Sequence, residues 1–265
     1  MDFDFDLVAA PFRMQPGLRK LAPGARHFTP LHPGGVIEQE KRLAMAAGGT
    51  RLTVPGFDLT PALAAIAGQA RAEGLAFDER APLELAFEED IAILEGDRGT
   101  LPFLGVSLPS RWAPEDKLGL DFAAVHAPVA DAAMLLAGRE HLVRLATGGE
   151  HWERHVWTIS PSPRHDQHPR RHARTLWPDT VDPADFARQC WFRAERQTFF
   201  PVGRGTRQAV FTIRVMLAPL QAVVDTPAKA ERLHASLTSM TDAVLQYKGL
   251  QPARDRVLAW LDGRP

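Results

Sequence analysis

Apolar positions in the first third of the chain recur with helical spacing in two stretches. Val36 to Ala47 reads as a short helix. Thr60-Pro61 reads as a cap with a first-turn proline, leading an Ala-rich helix to Glu73. Denser apolar runs then predict strands at Leu83 to Phe87 and Asp90 to Glu95, which could pair, and at Phe103 to Leu108. Pro114 to His126 reads as a helix stopped by Pro128, and Asp131 caps another to about Leu145. Val156 to Ser160 is a further strand, and residues 161–182 form a loop dense in Pro, Arg and His. The clearest hairpin pairs Trp191–Phe200 with Gln208–Leu217 around the turn Gly203-Arg204-Gly205. A long helix, about Pro227 to Tyr247, and a short one, about Pro252 to Leu261, close the chain.

Strands joined by hairpins, with helices before, between and after them, predict an α+β fold. An antiparallel sheet with helices mainly on one face fits that order. A parallel doubly wound sheet does not, because strands and helices do not alternate and no glycine-rich phosphate loop follows a strand. The lead-in, residues 1–35, is rich in Pro and Gly and reads as irregular.

Composition narrows the function. The 265 residues carry a formal net charge of −1, so no global field favours nucleic acid or an anionic membrane. A single cysteine, Cys190, excludes a disulfide framework and a Cys-ligated zinc or iron–sulfur site within one chain. No apolar run reaches the roughly 18 residues of a membrane span. The N-terminus is acidic where a secretory signal would be basic. These features point to the cytoplasm.

Three groups could carry chemistry. On a helix 114–126, His126 shares a face with Leu118, Phe122 and Val125. A neutral imidazole on a rigid element against an apolar pocket suits an axial heme ligand, and the phase directs His126 into the largest apolar cavity. A core histidine near a helix C-terminus fits the same pattern. On the hairpin, alternation places Arg193, Glu195 and Gln197 on one face and Arg196 and Thr198 on the other. The second strand separates Thr212 and Arg214 from Phe211, Ile213, Val215 and Leu217, which makes one side of the hairpin apolar and one ionic. Arginines there could hold propionate carboxylates, or could belong to a solvated face of cross-strand ion pairs. Finally, His151, His155, His165, His168 and His172 offer a metal-site alternative, opposed by Arg164, Arg170, Arg171 and Arg174. A flexible basic loop is the other reading. Ser160 and Ser162 lie outside any nucleophile elbow, and Cys190 reads as a buried small residue.

Arg193-Ala194-Glu195-Arg196-Gln197-Thr198, followed by Val210-Phe211-Thr212-Ile213-Arg214, resembles the signature of the heme-dependent oxidative N-demethylase alpha-subunit family. Pro11-Phe12-Arg13-Met14 with Gly17-Leu18 is similar to that family's N-terminal motif. Pro109-Ser110-Arg111-Trp112 with Lys117-Leu118-Gly119 is similar to its central motif, and His126-Ala127-Pro128-Val129 to its His-x-Pro-Val. The resemblance implies one domain over residues 1–265, with a PAS-like core at about 80–220 and C-terminal helices at about 226–262. It implies heme b, O2, a small amine substrate and an external electron-donor subunit. His126 becomes the axial ligand. Arg193, Arg196 and Arg214 become cofactor contacts, with Arg193 favoured over Arg196, and Glu195 with Arg193 the catalytic pair. Leu108, Ala130, the loss of Asn from Arg154-His155-Val156-Trp157 and the His/Arg-rich loop depart from the family pattern and leave the amine open. A heme-binding sensor, a cofactor-less structural subunit and a histidine-ligated metal hydrolase remain alternatives.

Overall fold

Seven antiparallel strands form one open sheet in the computed structural model, which describes residues 3–203 and 205–263. In chain order they are β1 (Arg19–Lys20), β2 (Arg51–Thr53), β3 (Asp90–Glu95), β4 (Thr100–Gly105), β5 (Trp152–Ser160), β6 (Trp191–Pro201) and β7 (Gln208–Pro219). Their order across the sheet is β1-β5-β6-β7-β3-β4-β2. The expected hairpin is its centre: β6 and β7 pair from Trp191↔Pro219 to Pro201↔Ala209. Arg204, in the middle of its turn, lies outside the described residues.

Ten helices surround the sheet among the described residues: α1 (Val36–Ala47), α2 (Thr60–Ala72), α3 (Phe122–His126), α4 (Ala133–Ala137), α5 (Arg139–Ala146), α6 (Pro183–Arg188), α7 (Leu220–Val223), α8 (Pro227–Thr238), α9 (Asp242–Lys248) and α10 (Arg254–Asp262). Strand alternation puts Ile159, Phe192, Ala194, Met216, Val210, Ile91, Ile93 and Phe103 on one face. There α6, α8, α9 and α10 bury Phe186, Leu233, Val244 and Trp260 against the β5–β6 side. On the β3–β4 side, α2 buries Ile66 and Ala70. Both larger cores thus share one face, as the α+β reading expects. The other face carries a small core of Ala92, Leu104 and Val106 beside Trp112 and Leu118, and otherwise polar groups under loops. No helix among the described residues is long and apolar enough to cross a membrane.

Five expectations need correction. Leu83–Phe87 is not a strand: Leu83–Leu85 is a 3-10 turn, and Leu83 and Phe87, four apart, enter the same core as helical neighbours would. The helix 114–126 breaks into a 3-10 turn, Pro114–Asp116, and the short α3. Gly119 adopts a left-handed φ of 73°, and the Asp121 side chain caps a new start by accepting from the Ala124 amide at 2.8 Å. Asp131 does not cap a helix. It is itself left-handed (φ 54°), its carboxylate takes the Thr241 hydroxyl, and Gly138 divides α4 from α5. The helix 227–247 is two, because Thr241 caps α9 by accepting from the Val244 amide at 3.2 Å. Finally, the hairpin has no purely apolar side. The register sets Arg193 opposite Leu217, Glu195 opposite Val215 and Gln197 opposite Ile213, so each face mixes apolar and ionic residues.

Candidate functional site

The polar face of the sheet is organised around Ser110, on the loop after β4. Its hydroxyl donates in a short contact to Glu195 Oε1 and accepts from Arg193 Nε at 2.9 Å. The other Glu195 oxygen takes the Gln197 amide at 2.7 Å. Arg193 is 2% exposed. It sends its remaining donors to the Arg164 carbonyl (3.0 Å) and the His165 carbonyl (2.8 Å). Burial pulls its pKa down to about 10, with Glu195 the main opposing influence, so it stays charged at neutral pH. Arg193 and Glu195, placed on one face by strand alternation, thus meet through a serine.

Strand β5 supplies a second arginine. Its register pairs Arg154 with Gln197 and Val156 with Glu195, which puts Arg154 on the Glu195 face. Its Nε is sealed from solvent and has no acceptor. Burial lowers its pKa, while Glu195 and then Tyr247 support the charge. Lys248, at the end of α9, donates to the Trp157 carbonyl at 2.6 Å on the edge of β5 that the two-residue β1 leaves uncovered. Its ammonium sits 5.0 Å from the Phe12 ring and 5.3 Å from the Trp157 ring. Burial draws its pKa down to about 8, opposed by Glu195.

His126 is partly buried and stacks on Phe122 with 4.1 Å between ring centroids. Its Nδ1 lies 2.7 Å from the Phe122 carbonyl. A carbonyl only accepts, so Nδ1 carries the proton and the neutral ring keeps its lone pair on Nε2. Burial depresses its pKa; the Phe122 bond opposes this, and the charges of Arg154 and Lys117 reinforce it. As for the expected aim into the largest apolar cavity, His126 lines neither the cavity of about 240 Å³ nor that of about 450 Å³. The phase behind that expectation required one helix reaching back to Leu118, and α3 begins at Phe122.

Arg196 and Arg214 lie across from each other on the opposite face. Arg196 is held by Glu153 (3.1 and 3.0 Å) and the Arg26 carbonyl (2.7 Å), and Arg214 by Glu88 (2.8 Å). The structure does not bring either to Arg193 and Glu195. The five candidate metal histidines also disperse. His151 bonds His27, His165 bonds Glu40, His168 bonds Glu115 and His172 bonds Asp166, while His155 packs edge-on to Phe3. No cluster of three potential ligands occurs among the described residues. The loop holding the last three is pinned rather than loose, with Ser162, His165, Asp166 and His168 all buried. Cys190 is fully buried, and desolvation pushes its thiol up to about 12, which suits packing and not nucleophilic attack.

Ser110, Arg154, Tyr247 and Lys248 were not singled out from sequence. Ser110 had one signal, its place in the Pro-Ser-Arg-Trp motif. Arg154 had another, since extending β5 back to Trp152 would have given its face. Tyr247 and Lys248 had none, because a helix end reaching a strand edge leaves no local pattern.

A family model described as haem-dependent oxidative N-demethylase, alpha subunit-like, matches residues 67–258. The chain belongs to this family. The match takes in Ser110, His126, Arg154, Arg193, Glu195 and Lys248, and leaves out the lead-in with Pro11-Phe12-Arg13-Met14. In this alpha-subunit-like chain the signature strand β6 thus serves two faces: Arg193 and Glu195 on the Ser110 side, and Arg196 in an ion pair with Glu153 on the other.

Proposed function

We propose that this chain holds heme b on the Glu195 face and acts as an O2-dependent oxidoreductase that removes a methyl group from a small amine. The observation that carries the reading is a donor set on and beside the Glu195 face, where the Arg154 charge acts on His126. It comprises an imidazole whose Nδ1 is committed to the Phe122 carbonyl, a buried Arg154 Nε with no acceptor and a carboxylate held by two donors. These residues fit heme. A neutral Nε2 is the form that ligates iron, and a buried guanidinium donor suits a propionate. Bound heme would supply the activation of O2 and the electron transfer that side chains cannot.

The chain's own residues do the rest. Glu195, fixed by Ser110 and Gln197, draws in a cationic amine and can accept a proton from it on a carboxylate oxygen. Arg193 is reassigned. Its donors are spent on Ser110 and two carbonyls, so it positions the carboxylate instead of touching heme or substrate. Glu195 in turn supports the charges of the buried Arg154 and Lys248. Electrons come from a partner, in keeping with the alpha-subunit description. We read the antiparallel sheet as PAS-like and residues 1–265 as one working unit.

The test is formaldehyde release from a panel of N-methylated amines by heme-loaded protein with O2 and a chemical or protein reductant. Wild type should release formaldehyde, and Glu195→Gln should lose on the order of 100-fold in rate with heme content unchanged. Heme-loaded wild type that consumes O2 without demethylating any amine would leave the sensor reading in its place.

A further inference from the structure

The cavity of about 240 Å³ lies beyond the Arg193–Ser110 contact, between the loop after β4 and the 161–175 loop. Three guanidiniums line it: Arg111, Arg164 and Arg174. Among the described residues none of the three makes an ion pair, and none of their side chains has a hydrogen-bond acceptor. Among the described residues the only carboxylate on the lining is Asp166, and it is already committed. Its oxygens take Arg171 at 3.1 Å, His172 at 2.9 Å and the His168 amide at 2.9 Å. The cavity wall therefore carries three unneutralised positive charges.

Arg111 is also held in place at a cost. It is one of two non-glycine residues with a left-handed backbone among those described, at φ 65°. Its guanidinium lies against Gly249, the left-handed C-cap of α9, where any Cβ would overlap it. Burial and then the Arg174 charge both lower its pKa, as expected for like charges brought together without a counter-ion. All three arginines are exposed, yet they line one concavity, and the Arg174 charge acts on Arg111 there.

We infer that this cavity is an anion site that takes a small dianionic oxyanion, of the phosphate or phosphomonoester class. Planar guanidiniums offer paired N–H donors that match phosphate oxygens, and two negative charges fit a wall with three positive ones. Nearby hydroxyls, of Ser162 and Thr175, provide further polar lining. The site does not rest on the heme reading, because none of its three arginines belongs to the Glu195–His126 group.

Inorganic phosphate is the probe, titrated calorimetrically at constant ionic strength into the full chain, with and without heme. The expected result is saturable binding of one phosphate per chain, weakened about tenfold by Arg174→Ala. Arg98→Ala, in the other cavity, should bind as wild type. Arg111→Gly is the sharper variant. It relieves the left-handed backbone, so thermal stability should hold or rise while phosphate affinity falls about tenfold. Equal phosphate affinity in wild type, Arg174→Ala and Arg111→Gly would overturn the site. So would loss of phosphate binding when heme is loaded, since the arginines would then serve the heme propionates.

Discussion

Arg193 and Glu195 stand two residues apart on one strand, yet their contact runs through Ser110, which is more than eighty positions away in sequence. Alternation alone placed both charges on one face and separated them from Arg196. What it could not give is the distant loop residue that meets them, because nothing local to β6 encodes Ser110. Removing that hydroxyl strands a guanidinium nitrogen of the buried Arg193 and a carboxylate oxygen of Glu195. Ser110→Ala should therefore cost about 1–3 kcal/mol in a urea unfolding experiment. A loss under about 0.5 kcal/mol would mean that water replaces the serine and that the site is less dry than its geometry requires. His126 teaches the converse. Its residue type and motif were legible, but its direction was argued from a helix that Gly119 and Asp121 interrupt.

Elements with one dominant signal were read well. Val36–Ala47 and the β6–β7 hairpin match the expectation almost to the residue, since each has a clear period and clean punctuation. Elements with competing signals were not. The 114–126 and 227–247 stretches keep apolar spacing through a glycine or a Thr-Asp cap, and there the local breaker overrides the period. The Leu83–Phe87 run failed because an apolar cluster four residues apart suits a turn as well as a strand. Gly249 shows how such punctuation serves the site: its left-handed φ of 68° ends α9 and leaves room for Arg111. Gly249→Ala should cost at least about 1–2 kcal/mol from backbone strain, measured by thermal or urea unfolding. A neutral effect would show that α9 can end without the left-handed cap.

Across the whole molecule, several buried titratable groups give stability a predictable pH dependence. His27 is fully buried between Thr198 (2.8 Å) and His151 (2.8 Å), and burial lowers its pKa from 6.5 to about 3. Between those values the unfolded chain binds a proton that the folded chain refuses, so this contribution falls as pH falls, by roughly 1.4 kcal/mol per unit. His155, lowered to about 4 by burial, acts in the same direction. Glu89 opposes them. Burial raises it from 4.5 to about 7, so the folded chain holds its proton and that contribution is lost as pH rises through the interval. Two histidines outweigh one carboxyl, and stability should climb from about pH 5 to about pH 6.5. Glu89→Gln should steepen the climb by about 1.4 kcal/mol per unit in denaturant titrations, and an unchanged slope would place the Glu89 proton elsewhere. The larger architecture was legible as an antiparallel α+β sheet with its main cores on one face. The joining of β1 and β2 to its edges was not, since strands of two and three residues carry no period. On the proposed function this sheet presents His126 to heme iron, and the decisive experiment is a heme titration followed by visible spectrum and pyridine hemochrome assay. Wild type should take up one heme per chain, and a folded His126→Ala should lose heme retention or change its spin state. A wild-type protein that stays colourless with excess heme, or a His126→Ala spectrum identical to wild type, would contradict it.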